Sequence, residues 1–347
     1  MHARRAQGSE CLAPFPVHAD LVDTLLAAHV QDGGERDAVV AHVLGTCAGY
    51  VYSDVHTVAT IMARLGLAAN GCSRVVQTVD AMFIFSTAYL VQSRCGRVVI
   101  LCYRGTEPAT LGNWIGDADV GSEYIRPGTD ADGAVRVHAG FHRNMRATRW
   151  EVLNELELAL QGRSLADPGE QLAHPLQALY VAGHSLGGAM ALLFALSLGD
   201  DTLERALSDR LRAIYTFGQP LAVGASTSAA VDRIGRKLFR HIRHADPVPA
   251  LPPAAWGRLA HIGHEYRFAS GGWTQAERAT EQQHGLRGIS SALFALFASE
   301  KRRASMRYSI SEHGPHHYIA ALRPVGRVTE FGDHAGHDAQ IEAKPVP

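Results

Sequence analysis

The stretch that most constrains this chain runs from Ala178 to Leu198. ALYVA (178–182) reads as an apolar strand, and Leu186–Leu198 as a helix of small and aliphatic residues. Between them stands Gly183-His184-Ser185-Leu186-Gly187, followed by Gly188. A serine at the centre of G-x-S-x-G, with a strand before it and a helix after it, sits on a turn tight enough to expose its hydroxyl. Glycines two before and two after let strand and helix approach closely. The helix N-terminus also puts free N–H groups and partial positive charge beside any oxyanion that forms there. Ser185 is therefore the candidate nucleophile.

A serine hydroxyl needs a base at neutral pH, and the base needs an orienting carboxylate. On such a scaffold the acid and then the base follow the serine along the chain. Asp246 lies in His244-Ala245-Asp246-Pro247-Val248-Pro249, just past the strand-like LFRHI (238–242). The competing role for Asp246 is an Asx-turn cap, common before proline. For the base, Ser311–Tyr318 (SEHGPHHY) offers His313, His316 and His317. Pro315 suits the first turn of a helix ending near Leu322, which ties up His316 and His317. His313, on the loop before it, is the expected base. The second oxyanion donor should come from the loop after an earlier strand. Tyr103-Arg104-Gly105-Thr106 closes the apolar strand RVVILCY (97–103), so Thr106 is expected to join the N–H of Leu186 in the oxyanion hole.

Along the chain, residues 1–17 read as a loose leader and Ala19–Leu67 as helical, with apolar residues at helical spacing (Leu21, Leu25, Leu26; Val39, Val40, Val43, Leu44). Strands are expected at 81–92, 97–103, 178–182, 212–217, 238–242 and 265–268, and helices at 140–161, 186–198 and 316–322. This alternation predicts an α/β fold, a mainly parallel central sheet with helices on both faces. The expected organisation is an N-terminal helical extension (1–79) packed on a core domain (80–324), then a mobile tail (325–347). Hydrophobic residues are 46% and charged residues 19% of the 347, enough apolar surface for a packed core rather than disorder.

At a net charge of −1, the chain is not built to coat nucleic acid by charge alone, and it carries no phosphate-binding glycine loop. The five cysteines are widely spaced, with no C-x-x-C. His241-x-x-His244 and His261-x-x-His264 lack a completing ligand set, so no metal and no cofactor are expected. With no apolar leader core in residues 1–16 and no span-length apolar run, a cytoplasmic location is expected.

The motifs together resemble those of the class three (fungal lipase-like) lipase family of the α/β-hydrolases. The matching segments are YRGT (103–106), Asn113-Trp114-Ile115-Gly116-Asp117, Val137-His138-Ala139-Gly140-Phe141, GHSLGG (183–188), Thr216-Phe217-Gly218-Gln219-Pro220 and Asp246-Pro247-Val248-Pro249, spanning roughly 80–322. The resemblance implies a Ser185–Asp246–His313 triad and an oxyanion hole of Thr106 and Leu186. Two departures stand out: Glu312 where Asp is usual, and Leu221 where a basic residue or Met is frequent.

The expected function is a serine ester hydrolase acting on acylglycerol-type lipid esters without a cofactor, in transient contact with a lipid interface. Phospholipase A1 or general carboxylesterase activity is the same-class alternative. A catalytically silent binding module is the different-class one. Leu111–Asp119 (LGNWIGDAD), with Trp114 and Ile115 among small and polar residues, is the candidate lid. The alternative is that both pack in the core while Asp117 anchors the oxyanion loop. Ile289, Ala292, Leu293, Leu296 and Phe297 mark an amphipathic helix, expected to face the core.

Overall fold

The computed structural model describes residues 3–8, 16–30, 34–106, 121–127, 133–225, 228–254, 257–282 and 310–333. Trp114, Ile115 and the amphipathic segment around Leu293 lie outside these residues.

Among the described residues, a nine-stranded sheet organises the fold. Its strands are β1 (Arg4–Gln7), β2 (Gly71–Val79), β3 (Ile84–Gln92), β4 (Val98–Tyr103), β7 (Ala178–His184), β8 (Leu211–Phe217), β9 (Leu238–Arg243), β10 (His264–Ala269) and β11 (Gly272–Gln275), adjacent in that order. From β4 through β10 neighbours run parallel, while β1–β2–β3–β4 and β10–β11 are antiparallel. The parallel centre agrees with the alternating pattern, and the flanks make the sheet mixed. A small antiparallel pair, β5 (Ser122–Ile125) and β6 (Val135–His138), lies apart.

Every residue of β4 is buried because both faces are covered. Val99, Leu101 and Tyr103 face a core shared with α4 (Ala139–Leu160) and α5 (Leu186–Leu196). Val98, Ile100 and Cys102 face the opposite core, built from α1 (Leu21–Ala27), α2 (Ala38–Tyr50), α3 (Val55–Leu65) and Tyr318 and Leu322 of α8 (Pro315–Leu322). Asp37 and Asp54 start α2 and α3 by accepting N–H bonds from Val40 and from His56 and Thr57. Two further amphipathic helices among the described residues are α6 (Thr202–Arg210) and α7 (Ala229–Lys237).

α2 is buried from Val40 to Ala48, between the sheet and α8. Gly45 and Gly49 notch its surface: a Cβ at either would lie 2.4 Å from Leu322 Cδ1 and 2.6 Å from Ile319 Cδ1, respectively. Those two α8 side chains occupy the notch, each burial contributing about 1.5–3 kcal/mol.

Three sequence expectations are corrected. Residues 4–7 are not a loose leader but the edge strand β1, whose Arg5 pairs with Glu155 at 2.6 Å. The region 1–79 is not a helical extension alone, since β1 and β2 belong to the main sheet and its helices form one of the two layers. The segment 325–333 is anchored: Glu330 is buried, accepts from the Tyr50 hydroxyl at 3.1 Å and pairs with Arg323 at 3.2 Å. No helix among the described residues is long and apolar enough to cross a membrane.

Candidate active site

Ser185 sits between β7 and α5 with φ 58° and ψ −130°, a conformation that L side chains rarely adopt. Such backbone strain costs about 1–3 kcal/mol and persists where the surroundings over-determine it. The surroundings here are tight. A Cβ on Gly183 would lie 2.2 Å from the Gly187 main chain, and one on Gly187 would lie 2.1 Å from the Tyr103 carbonyl oxygen. The Ser185 N–H donates to the Phe217 carbonyl at 2.9 Å, pinning the elbow to the neighbouring strand.

Asp246 lies on the turn after β9 and its side chain is fully buried. Its carboxylate accepts three hydrogen bonds. The Val248 N–H reaches Oδ1 at 2.9 Å, while His313 Nδ1 (2.8 Å) and the Tyr318 hydroxyl (2.6 Å) both donate to Oδ2. Burial, then the adjacent Asp246, push the Tyr318 hydroxyl well above the usual phenol range, so it remains a donor. His313 follows a short turn, Ile310–His313, and is buried, whereas His316 is exposed and His317 half-buried on α8. Glu312 pairs with Arg243 at 2.7 Å, and Arg243 also donates to the His317 carbonyl. The Glu312 departure thus supplies a clamp on the loop that carries His313. Leu221 is buried, its N–H donating to the Leu251 carbonyl.

Three atoms at the centre are buried yet have no hydrogen-bond partner among the described residues: Ser185 Oγ, His313 Nε2 and Thr106 Oγ1. Buried polar atoms are normally paired. Catalytic hydrogen bonds commonly tighten only on substrate binding, so unpaired atoms of this kind suit a candidate catalytic site. Leu186 opens α5, so its N–H has no acceptor within the helix.

Three of the four histidines set aside as metal ligands are engaged otherwise. His241 stacks with Tyr215, Phe217 and Tyr266, His264 stacks on Phe239, and His261 Nε2 donates to the Pro249 carbonyl at 2.7 Å. No cluster of three or more metal-ligating side chains exists among the described residues. Sequence reasoning missed Tyr318, His184 and Tyr52, which bond to or around the candidate acid Asp246 and candidate base His313. Tyr318 lies 72 residues from Asp246 and Tyr52 132 from His184, too far for any local pattern to show.

The family model described as Lipase (class 3) matches residues 100–256, from β4 past the Asp246 turn. Over these residues the chain is similar to the class 3 lipases. The lipase of Rhizomucor miehei is 30% identical over 193 residues, covering 56% of this chain and 48% of that protein. Secreted mono- and diacylglycerol lipase 2 of Gibberella zeae is 31% identical over 192 residues, covering 48% of this chain and 43% of that protein. The chain thus spans about half the length of the curated relatives it matches. Among solved structures, a fungal lipase superposes with a TM-score of 0.51 at 20% identity, covering 82% of this chain and 95% of that one. A Rhizomucor miehei lipase–propeptide complex superposes with a TM-score of 0.50 at 19% identity, covering 82% and 79%. These likenesses show that the chain has the α/β-hydrolase fold.

Proposed function

We propose that this protein is a serine hydrolase that cleaves carboxylic esters of the acylglycerol type. The observation that carries the reading is the strained Ser185 elbow with its buried hydroxyl, where the ring of the preceding His184 lies 4.5 Å from that of His313, itself bonded to Asp246 at 2.8 Å. Relatives named as lipases, and as mono- and diacylglycerol lipases, support this substrate class.

In this mechanism Ser185 Oγ attacks the acyl carbonyl carbon while His313 Nε2 takes the hydroxyl proton. Asp246 holds the imidazole through Nδ1 and stabilises the imidazolium. The tetrahedral oxyanion is held by the N–H groups of Leu186 and Thr106 and by the Thr106 hydroxyl. Collapse breaks the ester C–O bond, and His313 returns the proton to the leaving alcohol. Water, deprotonated by His313, then cleaves the acyl-enzyme. No cofactor takes part. Leu111–Asp119 is proposed as the lid on the strength of its sequence.

The test is labelling with a fluorophosphonate probe, followed by release rates on p-nitrophenyl esters, triacylglycerol, diacylglycerol and phospholipid. The reading expects labelling at Ser185 and faster turnover of acylglycerols than of phospholipid. Dominant phospholipid cleavage would reassign the enzyme as a phospholipase. An unlabelled and inactive protein would leave a binding module.

A further inference from the structure

His313 is held at two points, and the second leads out of the segment matched by the lipase family. Its ring is fixed through Nδ1 to Asp246, and its main-chain oxygen lies 2.7 Å from Nε2 of His184, the residue before the nucleophile. A carbonyl oxygen only accepts, so His184 Nε2 carries the hydrogen and Nδ1 is left with its lone pair. The Tyr52 hydroxyl, 2.9 Å away, donates to that lone pair. Burial, then the neighbouring His313, hold His184 well below the usual imidazole range, so its ring stays neutral. One tautomer therefore satisfies both bonds. The rings of His184 and His313 lie 4.5 Å apart, tilted by 34°.

Tyr52 comes from the connection between α2 and α3, on the N-terminal helical layer. That connection is braced, because the buried Tyr89 hydroxyl donates to the Ser53 carbonyl and the Ser53 N–H to the Tyr50 carbonyl. The same Tyr52 hydroxyl abuts the oxyanion loop. A Cβ on Gly105 would lie 2.5 Å from it, and 3.1 Å from Ser185 Cβ. One phenol thus touches the oxyanion loop and, through His184, the catalytic base.

We propose that Tyr52, acting through His184, is a positioning residue that sets the His313 main chain so that Nε2 faces Ser185. The inference rests on the reading of Ser185 as the nucleophile of an ester hydrolase. Without the phenol hydroxyl, His184 Nδ1 is buried with no donor. The ring escapes that state by moving or flipping, and either move gives up the bond to the His313 carbonyl.

The experiment compares wild-type protein with Tyr52→Phe, His184→Gln and His184→Leu. The readouts are fluorophosphonate labelling rate, kcat and KM on a soluble short-chain p-nitrophenyl ester, and melting temperature. Tyr52→Phe is expected to lower kcat and labelling rate together by about tenfold or more with KM nearly unchanged, because a misaligned base loses rate rather than binding. His184→Gln keeps an N–H donor for the His313 carbonyl and should retain most of the kcat that His184→Leu loses. A wild-type kcat in Tyr52→Phe overturns the proposal, as do equal losses in the Gln and Leu variants. Failure of the wild type itself to label would overturn the hydrolase reading, and the inference with it.

Discussion

Gly218 offers a way to break the proposed catalytic pair of Asp246 and His313 without touching either member. It follows β8 with φ +59°, and a Cβ built on it would lie 2.7 Å from Asp246 Oδ2, 2.8 Å from His313 Nδ1 and 2.9 Å from His313 Cε1. Ordinary contact begins at 3.4 Å, so Gly218→Ala forces the acid and base to retreat by about 0.5–0.7 Å. A misplacement of about 1 Å costs on the order of 10²-fold in rate. Losing the aspartate's orienting role altogether costs about 10⁴-fold. The expected fall in kcat therefore lies near 10²-fold and below 10⁴-fold. The left-handed conformation adds about 1–2 kcal/mol of strain for alanine. At roughly 2–4 °C per kcal/mol, the melting temperature drops by several degrees. The assay is steady-state hydrolysis of a soluble p-nitrophenyl ester alongside a melting curve. A variant that melts lower but keeps kcat within about threefold of wild type would refute the assignment of this pair as the working base and acid.

Ser185→Gly should abolish turnover yet raise the melting temperature, since relief of about 1–3 kcal/mol of strain exceeds the entropic cost of glycine, about 0.5–1 kcal/mol; calorimetry checks it. Tyr318→Phe should lower kcat about tenfold or more, because a hydrogen bond to a charged acceptor contributes about 1.5–3 kcal/mol and Asp246 keeps its other two donors; single-turnover rates test this. Burial first, with nearby Arg327 for His18 and with His18 and Arg323 for His42, lowers these two histidines from 6.5 to about 4 and about 3. The unfolded chain then binds more protons, so their contribution to stability is complete above pH 6.5 and drains away as pH falls towards 3–4. Melting temperature measured from pH 7 to pH 4 should fall, and less steeply in His42→Gln.

What was legible in the sequence was local. The elbow announced itself because strand, turn and helix are contiguous, and Asp246 because it directly follows a strand. Pro315 marks where the last helix begins, as it does in the structure, which sets His313 apart from His316 and His317 on that helix. β1 was invisible because RRAQ has no alternation, and its edge position depends on β2, more than sixty residues later. β2 was passed over because a half-polar edge-side strand lacks the unbroken apolar run of β4. Tyr52, His184 and Tyr318 escaped notice for a different reason. Each acts by a hydrogen bond across the core, which no spacing along the chain encodes.

The notch that Gly45 and Gly49 cut in α2 has a consequence for synthesis on the ribosome. The polypeptide emerges with Ser185 well before His313, and His313 is brought to its place by a helix that seats in a groove made long before. Until Ile319 and Leu322 drop into that groove, the proposed base would not be held beside the serine. On the proposed mechanism, a growing chain that has already formed its elbow would be hydrolytically inert, and esterase competence would switch on only when the late helix finds the early one. Translation arrested before Tyr318 should yield nascent chains that the fluorophosphonate leaves unlabelled, which makes probe reactivity a readout of completed tertiary assembly.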